Sequence, residues 1–255
     1  MHGAGSGPRG EAHLTFKLVF ANFATVQRTR LSAEERKLAI VMAALPLFAR
    51  KGFAETTTKD LARAAGVSEP LLYRHFANKE ALYLEIQRVV CKEANPVVKR
   101  LMESKPSTAT MVHLVYFLMR ALIMGVPRGV IGWETRHRLM VKSFLEDGVF
   151  ARTLYHSRFD SFCARVEECL EAAILAKDAV KGPVTRGNRI RFAHHIGAWL
   201  ALAQLPATTV IDYRASREEL LDQATWFALR GMGLTDKAIA TYYKPKELAR
   251  SLAIS

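Results

Sequence analysis

Side chains that can bind phosphate are concentrated between residues 57 and 79. Thr57 and Thr58 open a short helical pattern, where hydroxyl and backbone N–H groups can donate to an anion. Lys79 opens a later helical pattern and adds a positive charge. Capping of their own helix is an alternative role for the two threonines, and both roles can coexist. The segment is therefore a candidate for contact with a nucleic-acid backbone.

A second group of side chains in this segment could read the edges of DNA bases. The candidates for base readout are Glu69, Pro70, Leu71 and Arg74. Arg74 could pair with guanine, Glu69 could accept from cytosine, and Leu71 could contact a thymine methyl group. The alternative for Glu69 is stabilisation of the helix dipole, which an acidic residue in a first turn provides without DNA. These side chains are the candidates for sequence preference.

The elements that must position these side chains are predicted from cap and turn residues. Ser32 and Glu35 form a capping box, and the helix that they begin ends at Lys51-Gly52. Pro46 lies inside this helix and predicts a kink or an end there, because it removes one backbone hydrogen bond.

A helix-turn-helix is predicted directly after the first helix. The second helix begins at Thr57 or the residue after it and ends at Gly66, whose backbone permits a tight reversal. Ser68 caps a third helix over residues 69–76, and Asn78 caps a fourth. In this arrangement the third helix is the one that would enter the major groove of DNA.

Four motifs follow in order: Thr57-Thr58-Lys59-Asp60-Leu61-Ala62, Ala65-Gly66-Val67-Ser68, Leu72-Tyr73-Arg74-His75-Phe76 and Asn78-Lys79-Glu80-Ala81-Leu82. Together they resemble the DNA-binding domain of the TetR/AcrR family of transcriptional repressors, over about residues 33 to 92. The resemblance implies a homodimer, an inducer pocket in an all-helical C-terminal domain, and release from a palindromic operator when the inducer binds. The sequence departs from the common pattern at Pro46 and Pro70.

The resemblance also assigns Tyr73 and His75 to the family's phosphate-contacting pair. The complete set of candidate DNA-binding residues is Thr57, Thr58, Lys59, Ser68, Glu69, Pro70, Leu71, Tyr73, Arg74, His75 and Lys79.

Composition limits the classes of partner. The 255 residues carry a formal net charge of +13, which favours a polyanion such as nucleic acid or an acidic membrane surface. No stretch reaches the ~18 apolar residues of a membrane span, so we expect no membrane partner. Cys91, Cys163 and Cys169 form no C-x-x-C pair, and we interpret them as buried, inert thiols in a reducing cytoplasm.

The apolar periodicity predicts an all-α protein with an N-terminal helix-turn-helix domain and a C-terminal helical domain for ligand binding and dimerisation. We expect a flexible arm at residues 1–31, the DNA-binding domain at 32–92, the effector-binding domain at 93–235 and a C-terminal tail at 236–255. Helices are predicted over residues 107–125, 133–146, 148–177, 188–205 and 216–232, the third of them irregular near its start.

An effector pocket is predicted among the middle helices, where large apolar side chains mix with polar ones. Its candidates are His113, Tyr116, Phe117, Arg120, Trp133, His137, Met140, Phe144, Tyr155 and Phe159. The alternative for each is a place in the ordinary core. The aromatic content favours an apolar effector, and Arg120 and Arg136 leave a carboxylate open.

A dimer interface is predicted on the last two long helices, which would meet their copies as a four-helix bundle. The candidates are Phe192, Ile196, Trp199, Ala203, Leu221, Trp226 and Leu229. Burial inside one subunit is the alternative for these residues.

Catalytic motifs are missing from the sequence, and we expect neither an enzyme nor a cofactor. His156 and Asp160 lie one helical turn apart, but two ligands make no metal site. The sequence thus predicts a cytoplasmic, dimeric regulator of transcription, a repressor rather than an activator. The alternatives are an architectural DNA-binding protein that ignores small molecules and an enzyme that carries a DNA-reading module.

Overall fold

The computed structural model describes residues 31–92, 96–125 and 131–253, except for the side chains of residues 91, 92, 252 and 253. The regular structure of these residues is helical, apart from one isolated antiparallel bridge between Ala179 and Leu234. The predicted all-α class is therefore confirmed. The arm expected at residues 1–31 falls almost entirely outside the described residues, as does the Cys91 side chain.

The N-terminal region consists of helices that each begin directly after a predicted cap residue. They are α1 (Ala33–Glu55), α2 (Thr58–Ala65), α3 (Glu69–His75) and α4 (Lys79–Lys92). Ser32 and Glu35 make the predicted capping box, with bonds of 2.8 and 3.2 Å. Gly66 ends α2 with a φ of 63°, in the left-handed region that glycine adopts at low cost.

Helix α1 continues through Pro46, where a kink or an end was expected. Its non-helical backbone angles lie instead at Gly52, with φ 82° and ψ 178°. Residues other than glycine rarely adopt these angles. The predicted stop at Lys51-Gly52 is thus the point at which the regular helix breaks, although one more turn of chain follows before α2.

The core of the helix-turn-helix forms where α1, α2, α3 and α4 face each other. Phe48, Leu61, Leu72 and Ile86 are buried in one apolar cluster. Leu72 and Phe76 lie four residues apart on the inner side of the third helical segment, as its periodicity predicts. Burial of this one side leaves the opposite side of α3 in solvent.

The rest of the chain is a second set of helices: α5 (Pro96–Glu103), α6 (Thr108–Ile123), α7 (Trp133–Leu145), α8 (Val149–Leu154), a π-helical turn (Tyr155–Phe159), α9 (Asp160–Leu175), α10 (Arg186–Ala203), α11 (Arg217–Gly231), α12 (Asp236–Tyr242) and α13 (Pro245–Ala253). Helix α6 lies at the centre and packs against α5 and α9 to α13. It is apolar on nearly all sides, as a central helix must be.

The irregular start expected for the helix over residues 148–177 is the π-helical turn Tyr155–Phe159. Two features differ from expectation. Helix α5 was not predicted, and the expected tail at 236–255 contains α12 and α13, whose Ile239 and Leu248 are buried in the main core. These helices are seven to nine residues long, and helices of that length are marginal on their own, so their tertiary contacts decide whether they form.

Cys163 and Cys169 are buried free thiols, and burial raises the pKa of Cys163 to about 11. The prediction that these two thiols are buried is confirmed. In the described parts of the chain, no helix combines the length and the apolar character that crossing a bilayer requires. The same parts contain no cluster of three or more side chains of the His, Cys, Asp or Glu type that could hold a metal.

Candidate functional site

The N-terminus of α2 is fixed by a capping box between Thr57 and Asp60, in which Thr57 has the capping role considered for it from sequence. The Thr57 hydroxyl oxygen accepts from the Asp60 backbone N–H at 3.1 Å, and the Asp60 carboxylate accepts from the Thr57 N–H at 3.4 Å. The Thr57 hydroxyl keeps its own proton for donation and lies in solvent. Capping and phosphate contact are therefore compatible at this residue.

Asp60 also ties α2 to α1. Its carboxylate accepts from Lys51 Nζ at 2.8 Å. This bond, followed by the bonds from Thr57, lowers the pKa of Asp60 to about 2. The carboxylate is thus ionised throughout the neutral range and holds the start of α2 in one orientation.

A hydrogen bond between side chains connects the starts of α2 and α3. Thr58 Oγ1 donates to Glu69 Oε2 at 3.1 Å. Ser68 caps α3 by accepting from the Leu71 backbone N–H at 3.3 Å. Glu69 therefore has a partner inside the protein, which competes with the base contact expected of it.

The outer side of α3 presents the candidate base and phosphate contacts to solvent. Tyr73 is 48% exposed, and Pro70 and Arg74 are also exposed, as is Lys59 on α2. His75 and Leu71 are half-buried beside them. The structure brings these side chains together on two adjacent helices.

Lys79 is used inside the protein. Its ammonium group donates to the carbonyl oxygens of Phe53 and Thr56 at 2.9 and 3.1 Å and lies 4.3 Å from the centroid of the Phe53 ring. Two of its three donors are thereby taken. Its role in this structure is to join the start of α4 to the chain between α1 and α2.

Glu146, the residue directly after α7, contacts the same segment at the end of α1. Its carboxylate accepts from the Phe53 backbone N–H at 3.1 Å and lies over Gly52. A Cβ atom at Gly52 would come within 1.9 Å of Glu146 Oε1, so the glycine makes room for the carboxylate.

Aromatic rings make a second connection between the two helical regions. The centroid of the Tyr83 ring lies 5.0 Å from the ring centroids of Phe48 and Phe53 and 6.0 Å from that of Phe150 in α8. Leu139 of α7 belongs to the same buried cluster. Helix α4 thus shares an apolar cluster with α7 and α8, which are consecutive in the chain.

A cavity of about 460 Å³ lies among the middle helices. Six of the predicted pocket residues line it: Phe117, His137, Met140, Phe144, Tyr155 and Phe159. Arg136, which the sequence analysis considered as a partner for a carboxylate, also lines it. Side chains that were not predicted complete the lining: Val98, Met102, Leu118, Ala121, Leu122, Val141, Leu154, Ser157, Arg158, Phe162, His194, Ala198 and Leu202.

Four predicted pocket residues lie outside this lining: His113, Tyr116, Arg120 and Trp133. Tyr116 is buried in the main core, 6.2 Å from the ring of Tyr243. Trp133 donates its indole N–H to the carbonyl of Leu122. Helical periodicity identifies the apolar sides of a helix but does not say which neighbour each side meets, so the core and the cavity were not separable from sequence.

The π-helical turn supplies an unusual share of the cavity wall. Tyr155, Ser157, Arg158 and Phe159 of its five residues line the cavity. In a regular α-helix, successive side chains turn by about 100°, which would direct Ser157 away from Tyr155 and Phe159. Widened turns of this kind are common at functional sites.

Two histidines in the cavity wall are kept neutral by burial. Burial lowers the pKa of His194 to about 4, and smaller effects of His195 and His137 act in the same direction. Burial also lowers the pKa of His137, although its Nδ1–H donates to the Trp133 carbonyl at 2.8 Å. His194 lies 3.5 Å from the Tyr155 hydroxyl and 4.5 Å from the Phe159 ring centroid.

The predicted interface residues on α10 and α11 fall into two groups. Phe192, Trp199 and Trp226 are 54, 61 and 46% exposed. Ala203, Leu221 and Leu229 are buried within the protomer, and Ile196 packs against the main core. Phe227 of α11, which was not predicted, is 62% exposed.

His156 Nδ1 and a carboxylate oxygen of Asp160 form an exposed hydrogen bond of 2.9 Å. They have no further ligand with which to hold a metal in the described residues.

Comparison with known proteins identifies relatives of the N-terminal region. Residues 40–86 match the family model for bacterial regulatory proteins of the tetR family. The HTH-type transcriptional regulator EthR of Mycolicibacterium smegmatis is 37% identical over 78 residues, which is 31% of this chain and 36% of that protein. The match thus spans about a third of the length of the EthR proteins.

Two further comparisons extend beyond the helix-turn-helix. The HTH-type transcriptional regulator AcrR of Shigella flexneri is 24% identical over 162 residues, covering 60% of this chain and 72% of that protein. The crystal structure of a gamma-butyrolactone receptor, an ArpA-like protein, superposes with a TM-score of 0.55 at 21% identity, over 88% of this chain and 100% of that chain. The structural likeness shows a shared fold.

Proposed function

We propose that this chain, whose residues 40–86 match the family model for bacterial regulatory proteins of the tetR family, is a sequence-specific regulator of transcription. The single observation that supports this most strongly is the solvent-facing side of α3. There, Tyr73 and Arg74 are exposed on a helix whose start is capped by Ser68 and whose angle to α2 is set by Gly66.

In the proposed complex, α3 lies in the major groove of double-stranded DNA. Arg74 reads a base, while Tyr73, His75 and the start of α2 contact phosphates. Glu69, held by Thr58, and Lys79, held by two carbonyl oxygens, position the helices. They contribute less to direct readout than their types suggest.

The proposed regulator is a homodimer that binds a palindromic operator. Exposed aromatic side chains on α10 and α11, among them Phe192, Trp199 and Phe227, supply an apolar surface of the kind that marks protein interfaces. A twofold dimer presents two copies of α3, and these must lie about one DNA turn apart to occupy both half-sites.

We further propose that a small molecule in the cavity controls operator binding. His137, Met140 and Phe144 of α7 line the cavity, and Glu146 directly after α7 holds the chain at Phe53. A shift of α7 would reach α2 and α4 through this bond. The resulting change in the spacing of the two reading helices would release a repressor from DNA.

The alternatives remain distinguishable by experiment. An architectural DNA-binding protein would show little preference among sequences and no response to small molecules. An enzyme would turn over a substrate. Because the proposed regulator acts on bacterial DNA, we propose that it works in the cytoplasm. We favour repression over activation because the family resemblance implies release from DNA when the ligand binds.

The decisive experiment is selection of bound duplexes from a random pool by the full-length protein, followed by sequencing. We expect an inverted repeat whose half-sites are about 10 base pairs apart or a multiple of that distance. Recovery of sequences without a shared motif at physiological salt would contradict the proposal.

A further inference from the structure

Tyr155 and His194 form a polar pair in the wall of the cavity. The Tyr155 hydroxyl lies 3.5 Å from His194 Nδ1, which is longer than the roughly 2.7–3.2 Å of a well-formed hydrogen bond. Within the described residues, neither the Tyr155 hydroxyl nor the second imidazole nitrogen of His194 has another hydrogen-bond partner. Because polar groups removed from water are nearly always hydrogen-bonded in proteins, the pair is incomplete by itself.

Both members of the pair are uncharged near neutral pH. Burial raises the pKa of Tyr155, so its hydroxyl keeps the proton and can donate it. Burial lowers the pKa of His194 to about 4, so the imidazole is neutral and one of its nitrogens can accept. The pair thus offers a ligand one donor and one acceptor without charge.

A hydroxyl group of a ligand matches this pair. It can accept from the Tyr155 O–H and donate to the His194 imidazole at the same time, because a hydroxyl is both a donor and an acceptor. A carbonyl oxygen only accepts, and an ammonium group only donates. The hydroxyl would satisfy both protein groups and so remove the cost of leaving them unpaired.

The two arginines of the cavity wall are engaged elsewhere. Arg136 and Arg158 line the cavity, but each already interacts with other groups of the protein. We therefore assign neither of them to the ligand. A carboxylate would lose its hydration in the cavity without gaining an uncommitted cation among the described lining residues, and such desolvation is costly.

The wall beside the polar pair is aromatic. The centroid of the Phe159 ring lies 4.5 Å from that of His194 and 5.2 Å from that of Tyr155. Phe144 lies 6.3 Å from Tyr155, and Phe162 lies 6.3 Å from Phe159, again between ring centroids. All five side chains line the cavity. An apolar ligand, above all one with a ring, can pack against these rings while its polar group reaches the pair.

We propose that Tyr155 and His194 recognise the hydroxyl group of an uncharged, mostly apolar effector, whose apolar part packs against the aromatic side chains around Phe159. This inference rests on the proposed function and specifies the ligand class and the recognition residues of the same cavity. The cavity volume of about 460 Å³ lies within the range of small-molecule sites.

The test uses three probes with the same ring system: 2-naphthol, 2-methylnaphthalene and 2-naphthoate. Their binding to the full-length protein is measured by equilibrium dialysis at pH 7, where 2-naphthol is uncharged, and without DNA. We expect 2-naphthol to bind several-fold more tightly than 2-methylnaphthalene, and 2-naphthoate to bind most weakly. Without the proposed contacts, 2-methylnaphthalene would bind more tightly than 2-naphthol, because it has no hydroxyl group to remove from water.

Two variants with matched controls locate the hydroxyl contact. Tyr155→Phe and His194→Phe each remove one polar group and keep a ring, and each should reduce the preference for 2-naphthol over 2-methylnaphthalene about tenfold. Tyr213→Phe and His195→Phe make the same changes at exposed residues outside the cavity lining and should leave the preference intact. Retained binding of 2-methylnaphthalene shows that the cavity of each variant is folded.

The outcomes separate this inference from the proposed function. The hydroxyl class would be overturned if 2-methylnaphthalene bound as tightly as 2-naphthol, if 2-naphthoate bound most tightly, or if none of the three bound up to its solubility limit. An unchanged preference in either Tyr155→Phe or His194→Phe would also overturn it, and the selected operator would be unaffected. Failure of the operator selection together with the expected order of probes would overturn the proposed function and keep the ligand class.

Discussion

The carboxylate of Glu146 accepts a hydrogen bond from the backbone N–H of Phe53, at 3.1 Å, across 93 residues of sequence. Glu146 directly follows the helix that supplies His137, Met140 and Phe144 to the cavity. Phe53 accepts through its carbonyl from Lys79, the first residue of α4. Two hydrogen bonds therefore separate the cavity-lining helix from the helix that supports the DNA-binding motif.

Removal of the Glu146 carboxylate should weaken communication between the cavity and the operator. In Glu146→Ala, a ligand that releases the unmodified protein from DNA should shift the operator Kd several-fold less. The free energy of unfolding should fall by about 1 kcal/mol or less, because the side chain is exposed. Fluorescence anisotropy with labelled operator measures the shift. Glu134→Ala, at the other end of α7, is the control, and an unchanged shift in Glu146→Ala would refute this route.

Gly52 and Gly66, which both have positive φ, should differ in their tolerance of a side chain. Gly52→Ala places a methyl group at φ 82° and ψ 178° and displaces the Glu146 carboxylate, so we expect a loss of about 2 kcal/mol. Gly66→Ala meets nothing within 4 Å and sits in the milder left-handed region, so about 1 kcal/mol is expected. Urea unfolding compares them, and a smaller loss for Gly52→Ala would be contrary to the geometry.

Tyr73 and Arg74 should affect DNA binding differently. Tyr73→Ala should weaken binding to all operator variants alike, because a phosphate contact carries no sequence information. Arg74→Ala should cost about 1–3 kcal/mol and relax the preference at one base pair. A panel of single-base operator variants measures both effects. Arg88→Ala, which removes an exposed charge from α4, is the control for net charge, and equal losses on every variant for both changes would refute the division of roles.

Acidification should destabilise the protein through His194. Its pKa is about 4 in the folded state against 6.5 ordinarily, so the unfolded chain takes up the proton first as the pH falls. The contribution of neutral His194 to the free energy of unfolding is fully present above about pH 6.5 and is lost as the pH falls from about 6.5 to 4. By pH 5 the loss is on the order of 2 kcal/mol. Thermal melting at pH 7.5 and 5 should show a smaller decrease for His194→Gln. The exposed neighbour His195 provides the control His195→Gln, which should behave like the unmodified protein.

Dimerisation should depend on the exposed aromatic side chains of α10. Trp199 is 61% exposed in the protomer, so Trp199→Asp should preserve the fold of the protomer. We expect the dimer Kd to rise by a factor of 100 or more, because the loss of a hot-spot residue buried in an interface costs roughly 3 kcal/mol of binding free energy. Sedimentation equilibrium measures the change. Leu175→Asp alters a residue that is 79% exposed at the end of α9 and serves as the control. A dimer that tolerates Trp199→Asp would move the interface elsewhere.

The sequence alone determined those features that depend on neighbours a few residues away. Ser32, Gly66 and Ser68 cap or end their helices in the structure as predicted, because a cap needs only the side chain and a backbone group within the same turn. The inner side of α3, with Leu72 and Phe76, follows from helical periodicity for the same reason.

Only the tertiary structure decided which side chains meet across long stretches of chain. The Glu146–Phe53 bond, the partners of Lys79 and the presence of His194 in the cavity wall all join segments far apart in sequence. A polar residue on a predicted helix carries no local sign of whether it will face solvent, core or cavity. That choice depends on the packing of several helices at once, which the pattern along one helix does not contain.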